Sequence, residues 1–66
     1  MEDYNQAIKL DPYNSTFYLN RGYGFQDLRS DIDACKDFKK AYDIEPDQYK
    51  EWFKSKEMTW CRNMPN

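Results

Sequence analysis

Three groups of side chains in this 66-residue chain have types and spacing that invite chemistry. Asp31, Asp33 and Asp37 lie within two helical turns of one another, as a cation site or an acid–base pair of carboxylates would require. Asp31 and Asp33, however, fall in the first turn of an expected helix, where the macrodipole favours negative charge, and the spacing is not that of a calcium loop. Cys35 and Cys61 form no close motif, and the chain has no His. A zinc site would therefore lack ligands, and Cys35 has no neighbouring base to make it a nucleophile. Both cysteines are expected to be reduced, partly buried small apolar residues rather than a disulfide. Gly22-Tyr23-Gly24 sits inside a helical pattern and is not a phosphate loop. With no Ser/His/Asp set available, the expectation is a non-enzyme that needs no cofactor and no metal.

Composition narrows the partners. Net charge is −2, with 33% charged and 18% aromatic residues. A nucleic-acid module would need a basic face, so nucleic acid is not expected. The charge is uneven: Lys50, Lys54, Lys56 and Arg62 outweigh Glu51 and Glu57 at the C-terminal end, while the rest is acidic. No apolar run approaches the ~20 residues of a membrane span, so no membrane partner is expected. No signal-peptide pattern is present, which leaves the cytoplasm as the default compartment. The length allows at most one small domain, marginally stable alone.

The elements that would position these residues are marked by self-similarity. Asp3-Tyr4 recurs as Asp37-Phe38, Ala7 as Ala41, and Leu10-Asp11-Pro12 as Ile44-Glu45-Pro46, each 34 residues on. Tyr18-Leu19 is echoed at the same offset by Trp52-Phe53. Pro12 and Pro46 each end a helical pattern. Asn14 is a suitable N-cap, Ser30 with Asp33 resembles a capping box, and Asp47 or Gln48 can cap the last segment. Four helices are expected, at about 1–11, 15–28, 31–44 and 48–61, joined by short loops that force neighbours antiparallel. Ala34, Phe38, Ala41 and Tyr42 form one stripe, and Tyr18, Gly22 and Phe25 another. Gly22 in a helix interior costs ~1 kcal/mol relative to Ala, which points to a close neighbour; Ala34 and Ala41 are the small residues expected to face it.

These residues resemble the tetratricopeptide repeat family. Its pattern, Trp-x2-Leu-Gly-x2-Tyr, Ala-x3-Phe, then Pro, is met here by Tyr18, Gly22, Phe25, Ala34, Phe38, Ala41 and Pro46. Arg21 stands where Leu is usual, its stem expected to lie along the groove. Residues 15–48 are similar to one complete repeat, 1–14 to the second helix of a preceding one, and 49–66 to a terminal or capping helix and tail. In that last part Ser55-Lys56 replaces Leu-Gly and Thr59 replaces the second aromatic, which favours a solvent-facing helix. The resemblance implies an all-α fold of antiparallel αα-hairpins in a right-handed superhelix. Tyr4, Ala7, Pro12, Tyr18, Gly22, Phe25, Ala34, Phe38, Ala41, Pro46 and Trp52 would form the repeat core.

It also implies a concave groove that binds a peptide or partner helix. Leu19, Asn20 and Tyr23, with Lys50, Phe53 and Lys54, would line it, flanked by Thr16, Gln26, Asp27 and Glu57. Some family members hold a carboxylate terminus with an Asn from one hairpin and a basic pair one turn apart on the next. Asn20, Lys50 and Lys54 match that part, so a partner with an acidic C-terminus is one expectation; Lys54 stands where Arg is usual, and the plainer reading is a solvated surface. The alternative is a structural element that self-associates or exchanges helices, or forms part of a longer array, because a stable array needs about three repeats. Trp60 either covers the end of the core or belongs to an association patch.

Overall fold

The computed structural model describes residues 2–64. They form α1 (Glu2–Leu10), α2 (Ser15–Asp27), α3 (Asp31–Ile44), α4 (Pro46–Lys54), a one-turn 3-10 helix (Lys56–Met58) and α5 (Thr59–Arg62). No strand occurs among the described residues, and no helix there is long and apolar enough to cross a membrane. The all-α expectation holds. Met1, included in the first expected helix, and residues 65–66 of the expected tail lie outside the described residues.

The helix ends are set by local chemistry. Asn14 has extended backbone and its Oδ1 accepts the Thr16 N–H at 3.1 Å, capping α2 as expected. α2 closes in a Schellman motif: the Arg29 N–H donates to the Gln26 carbonyl at 2.9 Å and the Ser30 N–H to the Phe25 carbonyl at 2.8 Å. Arg29 occupies the left-handed position, φ 61°, where Gly is usual. That motif explains why the expected capping box at Ser30 does not form. Ser30 already ends α2, and its side chain makes no cap bond to α3, which carries Asp31 and Asp33 in its first turn. Nor do Asp47 or Gln48 cap the next helix. α4 begins earlier, at Pro46, whose missing N–H costs nothing at a helix start. Glu45 precedes it, and its carboxylate accepts the Ser15 hydroxyl at 2.7 Å instead of capping.

The first three helices and α4 pack antiparallel to their neighbours. On α1 and α2, Ile8 lies with Tyr18 and Asn5 meets Arg21; on α2 and α3, Ser15 lies near the end of α3 while Gly22 meets Phe38. Ala34, Cys35, Phe38, Met58 and Cys61 form one core cluster, and Ile8, Tyr18, Ala41 and Tyr49 another. Of the expected core, Tyr18, Gly22, Ala34, Phe38 and Ala41 are buried, and Ala7, Phe25 and Trp52 half-buried. Tyr4, Pro12 and Pro46 lie at the surface; the two prolines act by ending or starting helices, not by packing.

Gly22 is closed in by a ring rather than by Ala34 or Ala41. A Cβ there would stand 2.5 Å from Phe38 Cε1 and 2.7 Å from Cδ1. Phe38 cannot retreat easily, because Tyr23, Trp52 and Trp60 surround it edge-on at centroid distances of 5.2, 5.3 and 6.3 Å. Trp60 thus covers the end of the core.

Two expectations fail at the C-terminal end. The fourth helix stops at Lys54 instead of running to 61, and the chain turns through Ser55, ψ 164°, whose hydroxyl donates to the Trp52 carbonyl at 2.6 Å. Beyond this turn Met58 and Cys61 are both buried. The second failure concerns the cysteines, which are not reduced: Cys35 of α3 and Cys61 of α5 are joined in a disulfide spanning 26 residues. Burial brings their Cα atoms to 5.3 Å, inside the bonding range, a juxtaposition the linear spacing does not reveal. In a chain-entropy account a loop of that length contributes about 3.5 kcal/mol.

Candidate functional site

Polar side chains of this molecule divide into those committed internally and those left open. The committed set centres on Arg21. Its Nε and Nη2 donate to the two Asp37 carboxylate oxygens at 2.7 and 2.8 Å, and Nη1 donates to Asn5 Oδ1 at 2.9 Å, joining α1, α2 and α3. The guanidinium also lies 5.7 Å from the Tyr18 ring centroid and 5.9 Å from that of Phe25. The hydrogen bond to Asp37 holds the Arg21 pKa above its ordinary value, against the opposing effect of burial. Asp37 is therefore a structural anion, not one of three cation ligands. Among the described residues no group of three His, Cys, Asp or Glu side chains is gathered as a metal ion needs.

The open set contains the residues expected to line a groove. Asn20, Tyr23, Lys50 and Lys54 are exposed, and Leu19 and Phe53 are half-buried. Among the described residues the side chains of Asn20, Lys50 and Lys54 make no hydrogen bond or ion pair, so none joins Asn20 to either lysine. Tyr23 leans its ring on Phe38, and Phe53 packs against Tyr42 at 4.9 Å, so both aromatics are held from beneath. Lys50 and Lys54 fall one turn apart on α4, and Lys54 occupies its last turn, where the helix dipole favours a cation. Of the flanking residues, Thr16 and Asp27 are exposed and Gln26 half-buried. Glu57 leaves the expected helix and sits in the 3-10 turn. A shallow depression on α1, lined by Asp3, Asn5, Gln6 and Lys9, mixes both signs of charge.

Sequence reasoning missed three features. The Arg21–Asp37 pair had a signal: Asp37 lies on the same α3 stripe as Ala34 and Ala41, and a carboxylate on a core stripe requires a cation. The Ser15–Glu45 bond had none beyond distance along the chain. The third is Arg62, whose Nη1 donates to the carbonyls of Phe53 and Ser55 at 2.6 and 2.8 Å and so closes the C-terminal end of α4.

Comparison with known proteins places one relative beside this geometry. The chain is similar to a curated protein described as Protein STIP1 homolog, from Dictyostelium discoideum, of a tetratricopeptide-containing family. The two are 43% identical over 44 residues, which is 67% of this chain and 8% of that protein. No family model matches the chain, and no solved structure matches it. The all-helical structure and this partial likeness are consistent with a tetratricopeptide-type helical repeat.

Proposed function

We propose that the chain is a protein-interaction module that holds a peptide or partner helix against α2 and α4. Leu19, Asn20, Tyr23, Lys50, Phe53 and Lys54 are its contact residues. One observation carries the reading: these polar groups are spare. The molecule satisfies Arg21, Asp37, Ser15 and Arg62 internally, yet leaves Asn20, Lys50 and Lys54 exposed with no partner among the described residues, beside two supported aromatics. Cations one turn apart suit a carboxylate, Asn adds an amide donor, and the aromatics supply apolar area. A partner with an acidic C-terminus fits that chemistry. The likeness to a tetratricopeptide-containing protein supports binding rather than catalysis.

The test is fluorescence anisotropy with a labelled peptide ending in two acidic residues. Replacing Lys50 and Lys54 together by Glu should weaken binding by about tenfold or more, and added salt should weaken it in the unmodified chain. Binding indifferent to both would remove this reading. A second reading, self-association, is favoured by a separate observation: Leu10, Tyr13, Leu28 and Ile32 are each more than half exposed, with Tyr13 at 78%. Sedimentation equilibrium separates the two. A helical monomer at all concentrations excludes self-association, and a dimer lost on deleting residues 1–11 but kept in the double-Glu variant establishes it.

A further inference from the structure

We propose that the Cys35–Cys61 disulfide is a redox latch on the C-terminal segment, residues 55–64. In the disulfide form the segment is locked over α3; after reduction by a dithiol it opens locally while the α2–α3 hairpin stays folded.

The segment has little to hold itself in place. It consists of a three-residue 3-10 turn and a four-residue helix, far below the length at which a helix is stable alone. Among the described residues, the hydrogen bonds of the segment run within residues 52–64. The backbone bonds link Ser55 to Trp52, Met58 to Ser55, Asn63 to Thr59 and Met64 to Cys61. The guanidinium of Arg62 reaches the Phe53 and Ser55 carbonyls and Thr59 Oγ1. None of these ties the segment to α2 or α3. What does so is the burial of Met58 and Cys61, the edge contact of Trp60 on Phe38, and the disulfide itself. Removing the covalent tie leaves apolar contacts and two weak S–H···O approaches, made by a segment that must also be ordered, and such elements are the first to open.

The hinge is already present. Ser55 has an extended backbone, and its hydroxyl on the Trp52 carbonyl helps finish α4, alongside Arg62, whose Nη1 reaches the Phe53 carbonyl from within the segment. α4 keeps its own packing through Tyr49 and Trp52, so the break point separates a self-supporting part from a dependent one.

The sulfur surroundings suit both redox forms. Cys35 Sγ lies 3.2 Å from the Cys61 carbonyl oxygen, and Cys61 Sγ lies 3.7 Å from that of Cys35. In the dithiol form each S–H has an acceptor in reach, so the closed arrangement can be revisited and the bond remade. Both cysteines are buried, at 3% and 0% exposure, so a reductant must wait for the segment to lift. The exchange then runs in two steps. A dithiol thiolate attacks one sulfur, forming a mixed disulfide and releasing the other as a thiolate, which takes up a proton. The second thiol of the reagent displaces the first sulfur, so the protein gains two electrons and two protons and the reagent becomes a cyclic disulfide.

The experiment is amide hydrogen exchange on the full chain, disulfide form against dithiothreitol-reduced form, at neutral pH. The quantity read is the exchange rate of the Met58, Asn63 and Met64 amides divided by that of the α2 and α3 amides. Reduction should raise this ratio by about tenfold or more while far-ultraviolet circular dichroism keeps most of its helical signal. The variant carrying both Cys35→Ala and Cys61→Ala should reproduce the raised ratio without reductant. An unchanged ratio in either sample would overturn the proposal, since a plain staple weakens all amides together. Loss of the helical signal on reduction would overturn it too, as would reoxidation to a disulfide-linked dimer in place of the original intrachain bond.

Discussion

The α2–α3 hairpin is held by side chains that fit one another, whereas residues 55–64 are held by one covalent bond and a few apolar contacts. In the hairpin, Gly22 receives the Phe38 ring, Arg21 grips Asp37 with two hydrogen bonds, and Ser15 closes on Glu45. In the C-terminal segment the hydrogen bonds seen among the described residues are local, and Cys35–Cys61 with a few apolar contacts joins it to α3. Both regions contribute buried residues to one core cluster, yet their dependence on conditions differs. Temperature and denaturant act on the hairpin; the electron supply acts on the segment. The disulfide also bears on the expected cytoplasmic setting. Disulfides persist in oxidising compartments, and those of the cytosol are usually transient and redox-sensing.

That contrast can be broken from the hairpin side first. Phe38→Ala should cost about 3–5 kcal/mol, close to the whole stability of a chain this size, because it removes a buried ring and three edge contacts. Chemical denaturation followed by circular dichroism would show little folded baseline. Next comes Arg21→Ala, expected to cost roughly 3 kcal/mol, since it strands Asp37, whose side chain is 7% exposed. Asp37→Ala should cost less, because Arg21 is more exposed and can turn to water; equal losses would mean the pair's burial is immaterial. Gly22→Ala should destabilise by about 1–2 kcal/mol. The clash with Phe38 outweighs the ~1 kcal/mol gain in helix propensity. The smallest effect has the opposite sign. Arg29→Gly should stabilise by about 0.5–1 kcal/mol, because Gly adopts the left-handed conformation without cost to its Cβ, and a thermal melt shifted upward would show it.

Much of the hairpin was legible in the sequence because its signals are local and repeated. Pro12, Pro46 and Asn14 mark boundaries by local chemistry alone, and the Ala34–Phe38–Ala41 stripe is a matter of helical periodicity. Ser30 misled: its N–H closes α2 and its carbonyl accepts the Ala34 N–H to open α3, but its side chain makes no cap bond. The C-terminal segment was not legible because its path is decided by tertiary contact. No Pro or Gly near Ser55 forbids a helix, and the burial of Met58 and Cys61 against α3 is a contact the linear sequence does not display. Of the candidate site, residue types and exposure could be read in advance. The internal commitments that set Asn20, Lys50 and Lys54 apart could not, because they depend on which distant side chains meet.

The Ser15 hydroxyl lies 3.4 Å from that of Tyr49, 34 positions away, which is one sequence period. Positions one period apart therefore touch, and Tyr18 and Tyr49 share one cluster with half-buried Trp52 packed on it, 34 residues beyond Tyr18. Were the period a structural unit, this seam would be the nearest-neighbour coupling of a one-dimensional lattice, and the Arg21–Asp37 grip a site energy. Changing the first would then alter how sharply the units melt together, and changing the second only where they melt.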